Sequence, residues 1–265
     1  MARVDYGGWM ANAYDRGRGL GPAAVAAWEA AATPFLRSGP DGPVLDLGAG
    51  TGRFSGLLTA WSGRRVVAVE PAGAMATQAG DRARDTSGVG VVVGGAESIP
   101  LREGSVGVAW LSQVIHHIPD LGQAARELAR VVRAGGQVLL RGSLGRQGSS
   151  GGGAGGDYVI YRYFPAAGRV ADGFPNVGRV TEAFGSAGFE VTLTTKVAQP
   201  TAPSLRSLYE RTVARADSTL AAIDDDDFAA GLDVLRRDAE AEPERAPTPV
   251  IDHLDFVVLR SAVRA

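Results

Sequence analysis

The chain has 265 residues, 45% of them hydrophobic, enough to bury a sizeable core as one large domain or two small ones. A formal net charge of -2 gives no broad attraction for nucleic acid, so none is expected as a partner. With no cysteine, disulfides, thiol nucleophiles and thiolate-bound zinc are excluded, and only three histidines remain as imidazole ligands. No run of about 18 apolar residues suits a bilayer span, and MARVDYGGWM lacks the basic-then-apolar pattern of a secretory leader, so a cytoplasmic protein without a membrane partner is expected.

In chain order, VLDLG (44–48) is a short apolar strand ending in glycine, and RFSGLLTAWSG (53–63) has helical spacing through Phe54, Leu57, Leu58 and Trp61 and stops at Gly63. RRVVAVE (64–70) predicts the next strand, PAGAMATQAGDRARD (71–85) a helix with Pro71 in its first turn, and VGVVVGG (89–95) a third strand. SVGVAWLSQ (105–113) predicts a fourth. DLGQAARELARVVRAGG (120–136) reads as an amphipathic helix with Leu121, Ala125, Leu128 and Val132 on one face, feeding the strand QVLLRG. Alternating strands and helices with short apolar strands predict an α/β fold, a parallel sheet covered on both faces.

The character then changes. SLGRQGSSGGGAGGD (143–157) is too rich in glycine and serine to pack, and reads either as a surface linker or, from its place past a strand's carboxyl end, as a lid. A helix around VGRVTEAFGSAGF, the strand FEVTLTTKV (189–197), two helices at about 203–221 and 225–242, and a closing strand DHLDFVVLR follow. The acidic run Asp224 to Asp227 suits a helix start, where the dipole favours negative charge.

A strand-to-helix turn carrying Gly48, Gly50 and Gly52 allows positive φ and lets a ligand approach closer than any Cβ would permit. The dinucleotide fingerprint needs a glycine where Arg53 stands, and no Gly-Lys-Ser or Gly-Lys-Thr follows for a phosphate loop. What remains is a glycine turn led by Asp46, with Glu70 ending the next strand. Ligands of open parallel sheets sit outside the strands' carboxyl ends, so both acids are expected near one crevice, where a carboxylate at Glu70 can accept two bonds from a ribose diol. The plainer alternative is that both merely end strands or cap turns.

Five blocks, VLDLGAGTGRFS (44–55), VVAVEPAGAM (66–75), GGAESIPL (94–101), LSQVIHHIPD (111–120) and ELARVVRAGGQVLL (127–140), resemble in order and spacing the class I S-adenosylmethionine-dependent methyltransferases. The resemblance implies a Rossmann-like seven-stranded, mostly parallel sheet with helices on both faces and the last strand antiparallel. It implies one methyltransferase-like domain, with 1–40 a helical cap, 41–145 the cofactor-binding core, and 146–265 the lid loop, helical insert and C-terminal strands. S-adenosylmethionine is the implied cofactor, no metal is expected, the partner is a small-molecule acceptor, and a homodimer is left open.

By the same resemblance Gly48, Gly50 and Gly52 shape the floor under the cofactor, and Asp46 holds the loop or meets the amino group through water. Glu70 binds the ribose hydroxyls, with Pro71 directly after it; Met75 packs on the adenine or simply fills core. Ala96 and Glu97 lie at the adenine edge; Gly95 stands where the family often has an acid, so main chain or Glu97 takes over that contact. Ser112 and Gln113 line the methionine end, and Tyr14 or Arg18, in a segment similar to one these enzymes fold over cofactor, reaches its carboxylate.

Methyl transfer from a sulfonium needs positioning more than acid-base machinery, yet a phenol or amine acceptor must lose a proton. His116 or His117, in the loop after the fourth strand, is the candidate base; the alternative is that they only pack the loop. His253 reads as structural. Tyr6, Trp9, Tyr14, Tyr158, Tyr161, Tyr163, Phe164 and Tyr209 are candidates to line a site for a planar or apolar acceptor, with half or more expected in the core. A methyltransferase of natural-product metabolism is the leading reading. A cofactor-binding enzyme of the same fold without methyl transfer, such as a cyclase, and a non-catalytic binding module are the alternatives.

Overall fold

The computed structural model describes residues 19–145 and 158–262; Tyr6, Trp9, Tyr14 and Arg18, and residues 146–157 of the glycine-rich stretch, lie outside the described residues. Two compact units emerge, a larger one of Glu29–Ser143, Pro175–Lys196 and Asp255–Ala265, and a smaller one of Met1–Trp28, Leu144–Phe174 and Val197–Leu254.

In chain order the first elements are α1 (Pro22–Ser38), β1 (Val44–Leu47), α2 (Arg53–Ser62), β2 (Val66–Glu70), α3 (Gly73–Arg84), β3 (Val89–Val93), β4 (Val106–Ser112), α4 (Leu121–Val131) and β5 (Val132–Gly142). The strand order β3-β2-β1-β4-β5-β7-β6 completes a seven-stranded sheet with β6 (Phe189–Ala202) and β7 (Val250–Ser261). β1 pairs in parallel with β2 and β4, β2 with β3, and β4 with β5, while β7 runs antiparallel to β5. This is the Rossmann-like, mostly parallel sheet with an antiparallel last strand that the resemblance implies, and its parallel part is what the alternating pattern predicts.

All four residues of β1 are buried, as a central strand covered on both faces requires. In the larger unit Trp110 of β4 packs between Phe54 of α2 and Phe256 of β7, with ring centroids 5.4 and 6.4 Å away. Phe35 of α1 meets Phe256 edge-on at 5.9 Å. α7 (Val177–Ser186) packs against α4 in the same unit.

The smaller unit has its own core, built by α5 (Ile160–Tyr163), α6 (Pro165–Asp172), α8 (Leu205–Thr212), α9 (Ser218–Ala221) and α10 (Asp225–Ala241). Phe164 stacks on Phe228 with centroids 5.5 Å apart, and a Cβ at Gly231 would lie 2.5 Å from the Phe164 ring, so that glycine lets α10 approach. Tyr161 and Phe164 are buried in this core, with Tyr158, Tyr163 and Tyr209 packed partly against it. Asp224 caps α10 by accepting the Asp227 N–H at 2.7 Å, as the acidic run implies.

Several boundaries differ from the sequence-based expectations. Pro71 is exposed and precedes α3, whose first residue is Gly73; the Glu70 carboxylate instead takes the N–H of Ala72. The helix expected to include Val132 and to stop before Gly135 ends at Val131, because Val132 is drawn into the sheet opposite Val106. The helix expected over 203–221 is two, broken where Arg215 adopts φ 47° and Asp217 starts α9 by accepting the Thr219 N–H. α5 and α6 have no counterpart in the sequence reading, although Pro165 at the start of α6 is a usable signal.

Candidate functional site

The site grows from the turn between β1 and α2. Gly48, Gly50 and Gly52 take φ of 70°, 58° and 77°, the left-handed region that side chains resist. Their surroundings separate them. A Cβ on Gly48 would lie 2.3 Å from Val114 Cγ2, and one on Gly52 would lie 3.1 Å from Ala79 Cα, so protein fills both places. At Gly50 the nearest atom is the Met75 sulfur at 3.8 Å, which leaves that backbone bare.

Glu70, at the carboxyl end of β2, holds the turn. One carboxylate oxygen accepts the Gly50 N–H at 2.8 Å and the other accepts the Ala72 N–H at 2.9 Å. The side chain is 6% exposed, and burial pushes its pKa up while those two N–H bonds pull it down. An ionised carboxylate offers about four lone-pair directions, so about two remain for a ligand.

Asp46 of β1 is 2% exposed and accepts the Ser55 hydroxyl at 2.7 Å, tying β1 to the first turn of α2. Burial is the main force on it; with the nearby Glu70 charge it outweighs the Ser55 bond and Arg53 and raises the pKa to about 7. The two acids therefore differ: Glu70 grips main chain, whereas Asp46 is a buried carboxyl that titrates near neutrality.

The turn after β3 carries Ala96, buried, and Glu97, half-buried. A bridge between Gly95 and Ser98 closes it, and the Gly94 N–H donates to Glu70 O at 3.2 Å, which places the start of this turn beside the Glu70 main chain. At the end of β4 the Ser112 hydroxyl accepts from Arg141 Nη1 at 2.9 Å. Gln113 has φ 55°, rare for a residue with a side chain and a mark of functional segments where it occurs. Its N–H donates to Arg141 O at 2.7 Å, and its side-chain oxygen accepts the Ser143 N–H at 3.3 Å.

His116 and His117 lie on a 3-10 turn, Ile115–His117, with ring centroids 4.0 Å apart; His116 is half-buried and His117 exposed. His253 is exposed on β7. The expected residues of the larger unit thus fall in the carboxyl-terminal halves of β1, β2 and β4 or in the turns after β1 to β4, with Met75 on α3 against Gly50; Tyr14 and Arg18 are outside the described residues. Arg141, which sequence reasoning missed, is 3% exposed, with its guanidinium carbon 5.0 Å from the Phe54 ring centroid. A cation closing the apolar run QVLL was the available signal. Among the described residues no three or more His, Asp or Glu are grouped to hold a metal ion.

Residues 45–140 match the family model described as "Methyltransferase domain". Over those residues the chain is similar to the class I S-adenosylmethionine-dependent methyltransferases. The malonyl-[acyl-carrier protein] O-methyltransferase of Methylococcus capsulatus is 37% identical over 102 residues, 38% of this chain and 37% of that protein. The matches span 31% to 51% of the length of the curated relatives. Among solved structures, a candidate methyltransferase from an antibiotic biosynthesis pathway of Anabaena variabilis shares the fold with a TM-score of 0.67 at 23% identity, covering 88% of this chain and 96% of that one. The [4+2]-cyclase SpnF gives 0.63 at 19% identity, covering 94% and 85%.

S-adenosylmethionine is the cofactor that this similarity implies, and the residues present fit that group. A bare left-handed backbone at Gly50 admits a close approach, the buried Glu70 carboxylate retains acceptor capacity beside it, and the Met75 thioether lines the same turn.

Proposed function

We propose that this chain is an S-adenosylmethionine-dependent methyltransferase acting on a small organic acceptor in natural-product metabolism. The observation that carries the reading is the Glu70 carboxylate, fixed by the Gly50 and Ala72 N–H groups and still able to accept from a ribose diol. Gly50 forms the floor, while Gly48 and Gly52 let Val114 and Ala79 close behind it. Asp46 holds the turn through Ser55 or meets the cofactor's amino group through water. Pro71 follows Glu70, Met75 packs on the adenine, and Ala96 and Glu97 take its edge. Ser112 and Gln113 line the methionine end, with Tyr14 or Arg18 reaching its carboxylate. The antibiotic-pathway protein of similar fold supports the natural-product assignment.

Bound there, S-adenosylmethionine supplies a methyl group already activated on a sulfonium. The residues have to hold an acceptor atom about 3 Å from that methyl, in line with the bond that breaks. An acceptor oxygen or nitrogen gives up one proton as it gains the methyl, and His116, the more buried of the pair, is the stronger candidate to take it, with His117 its neighbour. We further propose a cytoplasmic protein without a nucleic-acid partner, working as one methyltransferase-like domain whose residues 41–145 hold the cofactor. A homodimer is the assembly to test by light scattering. No helix among the described residues is long and apolar enough to cross a membrane.

Calorimetry with S-adenosylhomocysteine tests the cofactor site: the protein should bind it, and Glu70→Gln should weaken binding. No heat with the unaltered protein overturns the reading. An acceptor screen under mass spectrometry should find a product in which a methyl replaces a hydrogen. The fold shared with a [4+2]-cyclase favours a second reading, in which a substrate is rearranged while bound cofactor is not consumed. Product of unchanged mass selects it.

A further inference from the structure

The turn after β3 is held from outside, by one face of α4. Residues Gln123, Glu127 and Arg130 recur at i, i+4 and i+7 and so share a helix face. Glu127 accepts the Ile99 N–H at 2.8 Å, and Arg130 donates to Ile99 O at 2.8 Å and to Leu101 O at 2.7 Å. The two side chains bond each other at 2.7 Å through both carboxylate oxygens, so each orients its partner. Gln123 Nε2 donates to Glu97 O at 3.2 Å, next to Ala96.

This clasp is more than a surface ion pair, because it takes both main-chain groups of Ile99 and the carbonyls of Glu97 and Leu101. The turn it grips begins with Gly94 and Gly95, and neither residue has a side chain with which to read a ligand. A ligand edge here meets mainly main chain, and a main-chain donor is only as well placed as the turn that carries it. Sites that hydrogen-bond a polar group discriminate strongly, provided the donor and acceptor are held in register.

We propose that Glu127 and Arg130, with Gln123, are positioning residues for purine recognition: they fix the 95–99 turn so that its main chain and Glu97 distinguish adenine from a 6-oxopurine. The proposal rests on the cofactor placement above. The clasp touches no ligand, and its effect on selectivity passes through the turn.

The test is calorimetry with S-adenosylhomocysteine and its inosine analogue on the unaltered protein, Glu127→Gln, Arg130→Lys and the milder Gln123→Ala. The unaltered protein should prefer the adenine compound by about tenfold or more, and Glu127→Gln and Arg130→Lys should bring the ratio below about threefold, with Gln123→Ala between. Glu70→Gln is the contrast, since it should weaken both ligands alike and leave the ratio unchanged. If the clasp variants lose affinity for both compounds in proportion, their role is structural and the proposal fails. It fails also if the unaltered protein binds both equally, although the cofactor site then stands; binding of neither removes the cofactor reading itself. Should a clasp variant not fold, Gln123→Ala decides the outcome alone: an unchanged ratio overturns the proposal, a reduced one sustains it.

Discussion

The two turns that flank the Glu70 end of β2 are stabilised in opposite ways. The turn after β1 is set by its own backbone, three glycines of positive φ, and closed by a single buried acid from the neighbouring strand. The turn after β3 needs no such dihedrals at Gly94 or Gly95 and is gripped by long, partly exposed side chains from α4. The first is a permissive backbone held in one form by the protein packed at Gly48 and Gly52 and by the Glu70 bond, and the second is held by side-chain bonds from a neighbouring helix. Damage to the first should therefore appear as lost stability, and damage to the second as lost selectivity.

The largest effect separates two glycines of the first turn. Gly48→Ala meets Val114 at 2.3 Å in addition to its unfavourable φ and should cost about 3 kcal/mol or more. Gly50→Ala carries the dihedral penalty alone, about 1–2 kcal/mol, and should lose cofactor affinity out of proportion to that. Denaturant titration beside S-adenosylhomocysteine binding checks both. Equal stability loss would mean that backbone angle, not the space at Gly48, dominates.

Next comes Glu70→Gln. The amide can accept at only one end, so either the Gly50 or the Ala72 N–H loses its acceptor, at about 1–3 kcal/mol. The variant should melt lower even without ligand; an unchanged melting temperature would show that water replaces the lost oxygen.

Asp46 adds a pH dependence. Its pKa is about 7 in the folded chain against about 3.9 unfolded, so the native state binds the proton more tightly. Its contribution is most favourable below the unfolded value, declines as pH rises toward 7, and is level above that. Binding of a cofactor ammonium nearby should favour the ionised form, so affinity for S-adenosylhomocysteine should rise with pH up to about 7. Asp46→Asn should flatten both trends in melting temperature and in calorimetry; a variant that keeps the slopes assigns them to another group.

The smallest stability change belongs to the clasp. Arg130 is 35% exposed and Glu127 15%, so the charge pair should contribute under about 1 kcal/mol. The Arg130 bond holds the Glu127 pKa below its usual value, so this contribution is full above the ordinary glutamate range and lost as pH falls through the lowered one. Acid titration of Glu127→Gln against the unaltered chain should show the difference vanish at low pH.

The first turn was legible in the sequence because its determinants are local: alternate glycines, and an acid that ends an apolar strand. The clasp was not, since Glu127 and Arg130 read as an ordinary i, i+3 surface pair and their main-chain partners lie 28 to 31 residues away. Val132 shows the same limit, a residue on the apolar face of a regular helical pattern that pairing with β4 pulls into strand. Tyr161 and Phe164 carried too little pattern to be placed, and the structure puts both in the core of the smaller unit. Glycine spacing also could not separate Gly50, which faces open space, from Gly48 and Gly52, which accommodate side chains from distant segments.

Gln113 has a mechanical consequence. Its N–H is tied to the carbonyl of Arg141, and its amide oxygen to the N–H of Ser143, so a single left-handed residue rivets together the points where the chain leaves β4 and β5. A substitution at Gln113 should therefore loosen the ends of both strands together.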